Sequence, residues 1–282
     1  MPINVYEIVT SRILDQLDKG VIPWRKTWNG SEPRNYITQK TYRGINLLLL
    51  PFGGEYATFK QIKEAGGYVK KGEKSHMIVF FKMMENQNGE TGELETFPYL
   101  KYSNVFHISQ CEGIESKREP ISATNNNEPA EAAQTIIDGY ISRTGVKIDL
   151  MQGSNKACYS PVDDTITMPV IGQFDTSNDF YSVFFHEAAH STGHETRLKR
   201  LEKAAAFGSH SYSKEELVSE IAACMLMNFT QIEIPETFEN SVSYIKSWSA
   251  KLKEDKKMIV TAANAAQKAT DLILGITEEA GQ

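Results

Sequence analysis

The chain reads as an α+β protein of two domains, a small hairpin-rich α+β unit followed by a larger unit of helices and short strands. Three observations predict this. At 282 residues the chain exceeds one average domain and has ample length for a sizeable core. Residues 113–130 are polar and poor in apolar side chains, as expected of a linker between 1–112 and 131–282. Charge divides at the same place: 1–112 carry 14 Lys or Arg against 12 Asp or Glu, whereas 113–282 carry 16 against 24. A basic half joined to an acidic half suggests that only the first half meets a polyanion.

Composition narrows the class. A hydrophobic content of 40% with 10% aromatics is that of a globular protein. The longest apolar run, Ile45–Leu50, is far too short to cross a bilayer, and no signal-peptide pattern opens the chain, so no membrane partner is expected. Cys111, Cys158 and Cys224 are widely spaced and odd in number, which suits reduced thiols in a cytoplasmic protein.

In the first half, Asn4 and Glu7 form a capping-box pair. Val5, Ile8, Val9, Ile13 and Leu17 follow at helical spacing, and Gly20 is the expected stop. Trp24, Arg25, Lys26 and Trp28 then interleave aromatics with cations, and Asn35, Tyr42, Arg43 and Asn46 continue the pattern. Within 12–82 there are 13 basic residues against 6 acidic. Cations neutralise phosphates and aromatic faces stack on bases, so the chemistry suits single-stranded DNA. The competing reading makes Trp24 and Trp28 core anchors. Thr58–Ala65 predicts a short helix ended by Gly66 and Gly67. A turn bearing Lys70, Lys71 and Lys74 offers phosphate contacts and leads into a strand over His76–Lys82. A polar loop over 86–92 precedes a second strand over Leu100–Ile108.

In the second half a helix is expected over Glu131–Thr144, then two or three short strands within 147–169. The central motif is His186-Glu187-Ala188-Ala189-His190, an H-E-x-x-H pattern. Positions i and i+4 share a helix face, so His186 and His190 can direct two imidazoles at one ion, with Glu187 as general base toward a water. The expected cofactor is one Zn²⁺ ion, another divalent metal being the alternative. Catalytic zinc usually takes three protein ligands. Thr196 stands where a metzincin would place its third His, which excludes that pattern; His194 is a further candidate. Downstream, Ser213 and Glu216 form a capping box that predicts a helix start. The Glu216, Ser219, Glu220 spacing resembles the second metal helix of gluzincins. That match implies Glu216 as third ligand and Glu220 as the acceptor that orients a ligand His, although their roles could be exchanged. Tyr159, His194, His210 and Tyr212 are candidates for oxyanion or substrate contacts. The Tyr159–Met168 segment is expected to be the edge strand that pairs with an extended peptide. Tyr244–Leu274 reads as one long amphipathic helix.

Together these pieces resemble the ArdC antirestriction proteins of conjugative plasmids and other mobile elements, over nearly the whole chain. The likeness rests on 23–28, Asn35, 42–46, 58–60, 70–74 and 105–110 in the first half. In the second it rests on 159–161, Asp164, 166–169, the HEAAHSTGHETRL stretch ending at Leu198 and 215–220. His107 departs from the family's expected Asn. The resemblance implies an N-terminal single-stranded-DNA-binding domain, a C-terminal zincin-like metallopeptidase domain, and protection of incoming DNA from host restriction. The implied partners are single-stranded DNA and an unidentified protein substrate, with a host restriction component as a candidate.

Overall fold

The computed structural model describes residues 4–19, 22–25, 32–51, 53–87, 94–118, 129–152, 157–201, 210–232 and 242–277. It is a mixed helix-and-sheet protein. Helix α1 (Val5–Leu17) buries Val5, Val9, Ile13 and Leu17, the stripe its spacing predicts. Asn4 caps it by accepting from the Tyr6 amide, without the expected reciprocal contact from Glu7, and Asp18 ends it ahead of Gly20. Strand β1 (Pro33–Asn35), helix α2 (Ile45–Leu49), strand β2 (Gly54–Thr58) and helix α3 (Phe59–Glu64) follow. Helix α3 starts at a full capping box between Thr58 and Gln61. Strand β3 (Tyr68–Val69) pairs with β6 (Cys111–Glu112), and between them runs the long hairpin of β4 (His76–Gln87) and β5 (Leu94–His107). The larger sheet has the order β1-β2-β5-β4, with β1 parallel to β2 and the other pairs antiparallel.

The second half begins with α4 (Pro129–Thr144) and a three-stranded sheet of β7 (Lys147–Met151), β8 (Cys158–Ser160) and β9 (Thr165–Pro169). Its order is β7-β9-β8, so β9 is central. The expected edge strand over Tyr159–Met168 is therefore a hairpin of which only β8 lies at the edge. Helices α5 (Ser177–Ser191), α6 (His210–Thr230), α7 (Val242–Glu254) and α8 (Met258–Leu274) complete the chain. The single tail helix read from the sequence is two helices. They break at 255–257, where the Asp255 carboxylate accepts from the Lys257 amide and closes a turn. Among the described residues no helix is long and apolar enough to cross a membrane.

One continuous apolar cluster runs from α1, α2 and the inner face of the β4–β5 hairpin into α4, α5, α6 and α8. Polar ties reinforce it. Thr10 donates to the Lys256 carbonyl at 2.6 Å, and Arg43 pairs with Asp271. Gly44, at φ +57°, presents its amide to Gln267 at 2.9 Å; a side chain there would lie 2.6 Å from Asn264 Oδ1, so only glycine fits. The start of the predicted linker is also anchored: the Glu55 carboxylate accepts from Ser116 Oγ at 2.7 Å and from the Lys117 amide at 3.0 Å. Residues 119–128 lie outside the described residues.

Trp24, in a single 3-10 turn at Pro23–Arg25, is only 3% exposed and meets the Trp248 ring edge-on at 6.4 Å. Trp24→Ala is expected to cost about 3–5 kcal/mol of unfolding free energy. Urea denaturation of the full chain checks this; an unchanged midpoint would mean that the ring does not bear on the core.

Candidate metal centre and nucleic-acid surface

Helix α5 opens on a reciprocal capping box between Thr176 and Asp179. Its first turns bury Phe180, Tyr181, Phe184 and Phe185, which fixes the helix's roll about its axis. That roll carries His186 and His190 toward α6, while Glu187 is itself buried. Helix α6 starts at His210, one turn earlier than predicted. Ser213 is consequently a buried residue inside the helix and not its cap, and Glu216 is released from any capping role to face α5.

His186 and His190 Nε2 lie 3.1 Å apart, and each is 3.5 Å from a Glu216 carboxylate oxygen. Among the described residues these three form the one His/Cys/Asp/Glu trio whose donor atoms all lie within 4.8 Å of one another. The separations bracket the edge of about 3.3 Å that a tetrahedron with bonds of about 2.0–2.1 Å requires. Two imidazoles and a carboxylate are a donor set suited to a divalent transition metal. Charge agrees: burial alone lowers the His186 pKa, but the Glu216 hydrogen bond and the charges of Glu187 and Glu220 raise it overall. The pocket favours a cation.

Glu215 and Arg200, which the sequence reading passed over, complete the surroundings. Glu215 approaches His190 Nδ1 at 3.6 Å and takes a forked ion pair from Arg200 at 2.8 and 3.2 Å. Burial pushes the Glu215 carboxyl up, but hydrogen bonds from His190 and Arg200 outweigh it and hold the pKa below its ordinary value. Arg200 also donates to Thr192 Oγ1 at 2.8 Å and to the Ala189 carbonyl at 3.0 Å, tying the end of α5 to α6. Gly193 lets the chain turn back there: its carbonyl accepts from Arg200 and Leu201, and an added Cβ would lie 2.9 Å from Leu201. An acid beside Glu216 was visible in the sequence, but nothing local marks Arg200 as its partner.

The remaining predicted residues distribute as follows. Glu220 is buried on α6 and acts on His186 through its charge, outside the donor trio. The Tyr159 hydroxyl donates to Asp164 at 2.8 Å and accepts from Arg197 at 3.1 Å, and burial with the Asp164 bond pushes its pKa up. It braces the β8–β9 hairpin, whose turn residue Asp164 has φ +51°. His194 Nδ1 is engaged with Thr196 at 2.8 Å. The side chains of His210 and Tyr212 lie outside the described residues.

On the expected nucleic-acid side, Trp24 packs the core and has no face for a base. Asn46 brackets Val79, donating to its carbonyl at 2.8 Å and accepting from its amide at 2.7 Å. Asn35 folds its own turn by accepting from the Ile37 and Thr38 amides. Lys70 donates to the Ser109 carbonyl at 2.9 Å. Lys71, Lys74 and Arg43 are exposed, Arg43 in its ion pair with Asp271, and Tyr42 is half-buried against Tyr56. Lys26, Trp28 and the Arg25 side chain lie outside the described residues. The aromatics that do reach the surface were not singled out: Phe80, Tyr102 and Tyr68 are exposed, and Phe80 pairs across the hairpin with Lys101.

Two family models match the chain: an N-terminal domain of anti-restriction factor ArdC over residues 3–106, and a zincin-like metallopeptidase over 135–265. A metal-free crystal structure of the antirestriction ArdC protein from plasmid R388 is 34% identical, with TM-score 0.76 over 96% of this chain and 97% of that one. The Mn(II)-bound structure of the same relative gives 32% and 0.77 over 99% and 100%. A DNA primase TraC of Escherichia coli is 33% identical over 97% of this chain, which spans only 27% of the primase. Identity across the full length of a solved relative, with both domain models in order, shows that the chain belongs to the ArdC family of antirestriction proteins.

Proposed function

We propose that the protein protects DNA from restriction by binding single strands through its first half, and that its second half is a zinc peptidase acting on a host protein in the cytoplasm. The observation that carries the peptidase reading is the His186, His190 and Glu216 trio with buried Glu187 on the same helix. A bound Zn²⁺ supplies Lewis acidity toward the scissile carbonyl. Glu187 takes a proton from the attacking water as its oxygen adds to the carbonyl carbon, then passes it to the amine nitrogen as the C–N bond breaks. Glu215, held by Arg200, keeps His190 turned with Nε2 toward Glu216. The edge of β8, antiparallel to β9 and packed beside α5, offers backbone groups to an extended peptide.

The DNA reading draws on the basic excess of 12–82 and on the exposed Phe80, Tyr102, Lys71 and Lys74. It stands without the peptidase, so a second reading follows: a DNA-binding shield whose metal site is structural or unneeded for protection.

Glu187→Ala is expected to abolish peptide hydrolysis while leaving zinc content and strand affinity unchanged; hydrolysis surviving in that variant removes Glu187 as the base. Expressed in recipient cells at matched levels, the same variant separates the two readings, because lost protection ties it to proteolysis and full protection assigns it to DNA binding. Chelator-competition titration with Zn²⁺ should show Glu215→Gln weakening affinity about 10- to 100-fold. Glu216→Gln should weaken it further and Glu220→Gln least; the reverse order of the last two would exchange their roles.

A further inference from the structure

A cavity of about 320 Å³ lies at the seam between the two halves, away from the metal trio. It is walled by the β1–α2 segment on one side and by the C-terminal ends of α6 and α8 on the other. Its size sits at the lower end of small-ligand pockets, about 300–1,000 Å³, which suits one nucleoside and not a folded peptide.

The lining is mixed in a particular way. Tyr42 and Phe229 supply aromatic rings, and Phe229 stands 53% exposed at the end of α6 beside the cavity. A large apolar ring exposed beside a cavity offers a face on which a planar ring can stack. Asn228 and Gln231 add two primary amides, and among the described residues neither side chain makes a hydrogen bond. An amide carries both donors and an acceptor, the complement of a base edge. Gln231, at φ +59°, is the left-handed residue that ends α6, with the Ile232 amide donating to the Met227 carbonyl at 3.0 Å, and this turn sets its side chain beside the cavity.

The charges decide the kind of ligand. Arg34 and Arg43 line the cavity, but so do Glu32 and Asp271, leaving the lining near neutral. Asp271 is buried, paired with Arg43 and bonded to Gln267, so it orients the guanidinium at the wall. The buried Nε of Arg34 has no hydrogen-bond partner among the described residues. A near-neutral lining gives little attraction for a free polyphosphate. It suits an uncharged ring, with the unpartnered Arg34 Nε as the donor left for a polar group on it.

We propose that this seam cavity takes a single unstacked nucleobase of a bound DNA strand, stacked on Phe229 and Tyr42 with its edge met by Asn228 and Gln231. The proposal rests on the single-strand reading above and deepens it, because the base-binding groups come from both halves of the chain.

The test uses the full chain, with fluorescence anisotropy on a labelled oligothymidylate and on an abasic strand of equal length. Wild type should prefer the base-bearing strand. Phe229→Ala, at an exposed position and with an unchanged melting temperature, should lose about 5- to 150-fold on that strand, the share of one stacked base. It should match wild type on the abasic strand. Equal affinity of variant and wild type for oligothymidylate would overturn the cavity while leaving single-strand binding in place. Wild type that binds neither strand at low salt would overturn the single-strand reading itself, and the cavity with it. A free deoxynucleoside monophosphate that binds as tightly as the strand would identify a small-ligand pocket and overturn the strand's claim to it.

Discussion

The close crossing of α5 and α6 is the constraint on which the candidate metal site depends. Two imidazoles four residues apart define a direction, but the third donor must come from another element at a separation of about 3.5 Å. Small residues make that approach feasible: Ala188 and Ala189 on α5 and Ser219, Ala222 and Ala223 on α6 are all buried. Larger side chains at these positions would push the helix axes apart and take Glu216 out of reach. The Arg200 fork closes the same crossing from its open side, since it holds an α5 carbonyl and an α6 carboxylate at once.

The crossing concentrates negative charge. Glu187, Glu215, Glu216 and Glu220 gather around two histidines, and Arg200 neutralises only Glu215 directly. Carboxylates held this close repel one another in a low-dielectric setting. A divalent ion removes that repulsion, so occupancy and fold stability are linked in the same direction. The buried acids beyond the three donors are the reason the pocket should select a doubly charged ion over a protonated histidine pair.

What the sequence disclosed, and what it withheld, follows from the range of the interactions. The H-E-x-x-H pairing is a property of one helical turn, so His186 and His190 could be placed on one face before any fold was known. The Thr58–Gln61 capping box was equally local. Glu216 was singled out by its spacing to Ser219 and Glu220, and it does lie beside both histidines, although the capping argument next to it failed because α6 begins a turn before Ser213. The misses are long-range. Trp24 looked like a base-stacking residue because its partner Trp248 lies more than two hundred positions away. Arg43, read as a candidate DNA contact, is paired with Asp271, 228 residues on, which no local pattern could announce. The divided charge suggested that only the first half meets a polyanion and gave no sign that a single apolar cluster crosses the boundary. Charge patterning reports the surface and carries no information about how two cores join.

Helix α6 gives that joining a functional dimension. Glu216 lies near its beginning, Phe229 near its end, and Leu217, Ile221 and Leu226 bury the helix between them. Thirteen residues of α-helix span about 20 Å, so the metal trio and the seam cavity are held at a fixed separation on one rigid rod. The first-half residues Tyr42 and Arg43 reach that rod only because Gly44 and Arg43 dock on α8. Coupling between two sites requires an element with two arrangements, and a helix buried along its length is a poor candidate for one. The architecture therefore acts as a ruler and not as a switch: whatever the seam cavity and the His186, His190 and Glu216 trio hold, α6 keeps the two at a constant separation.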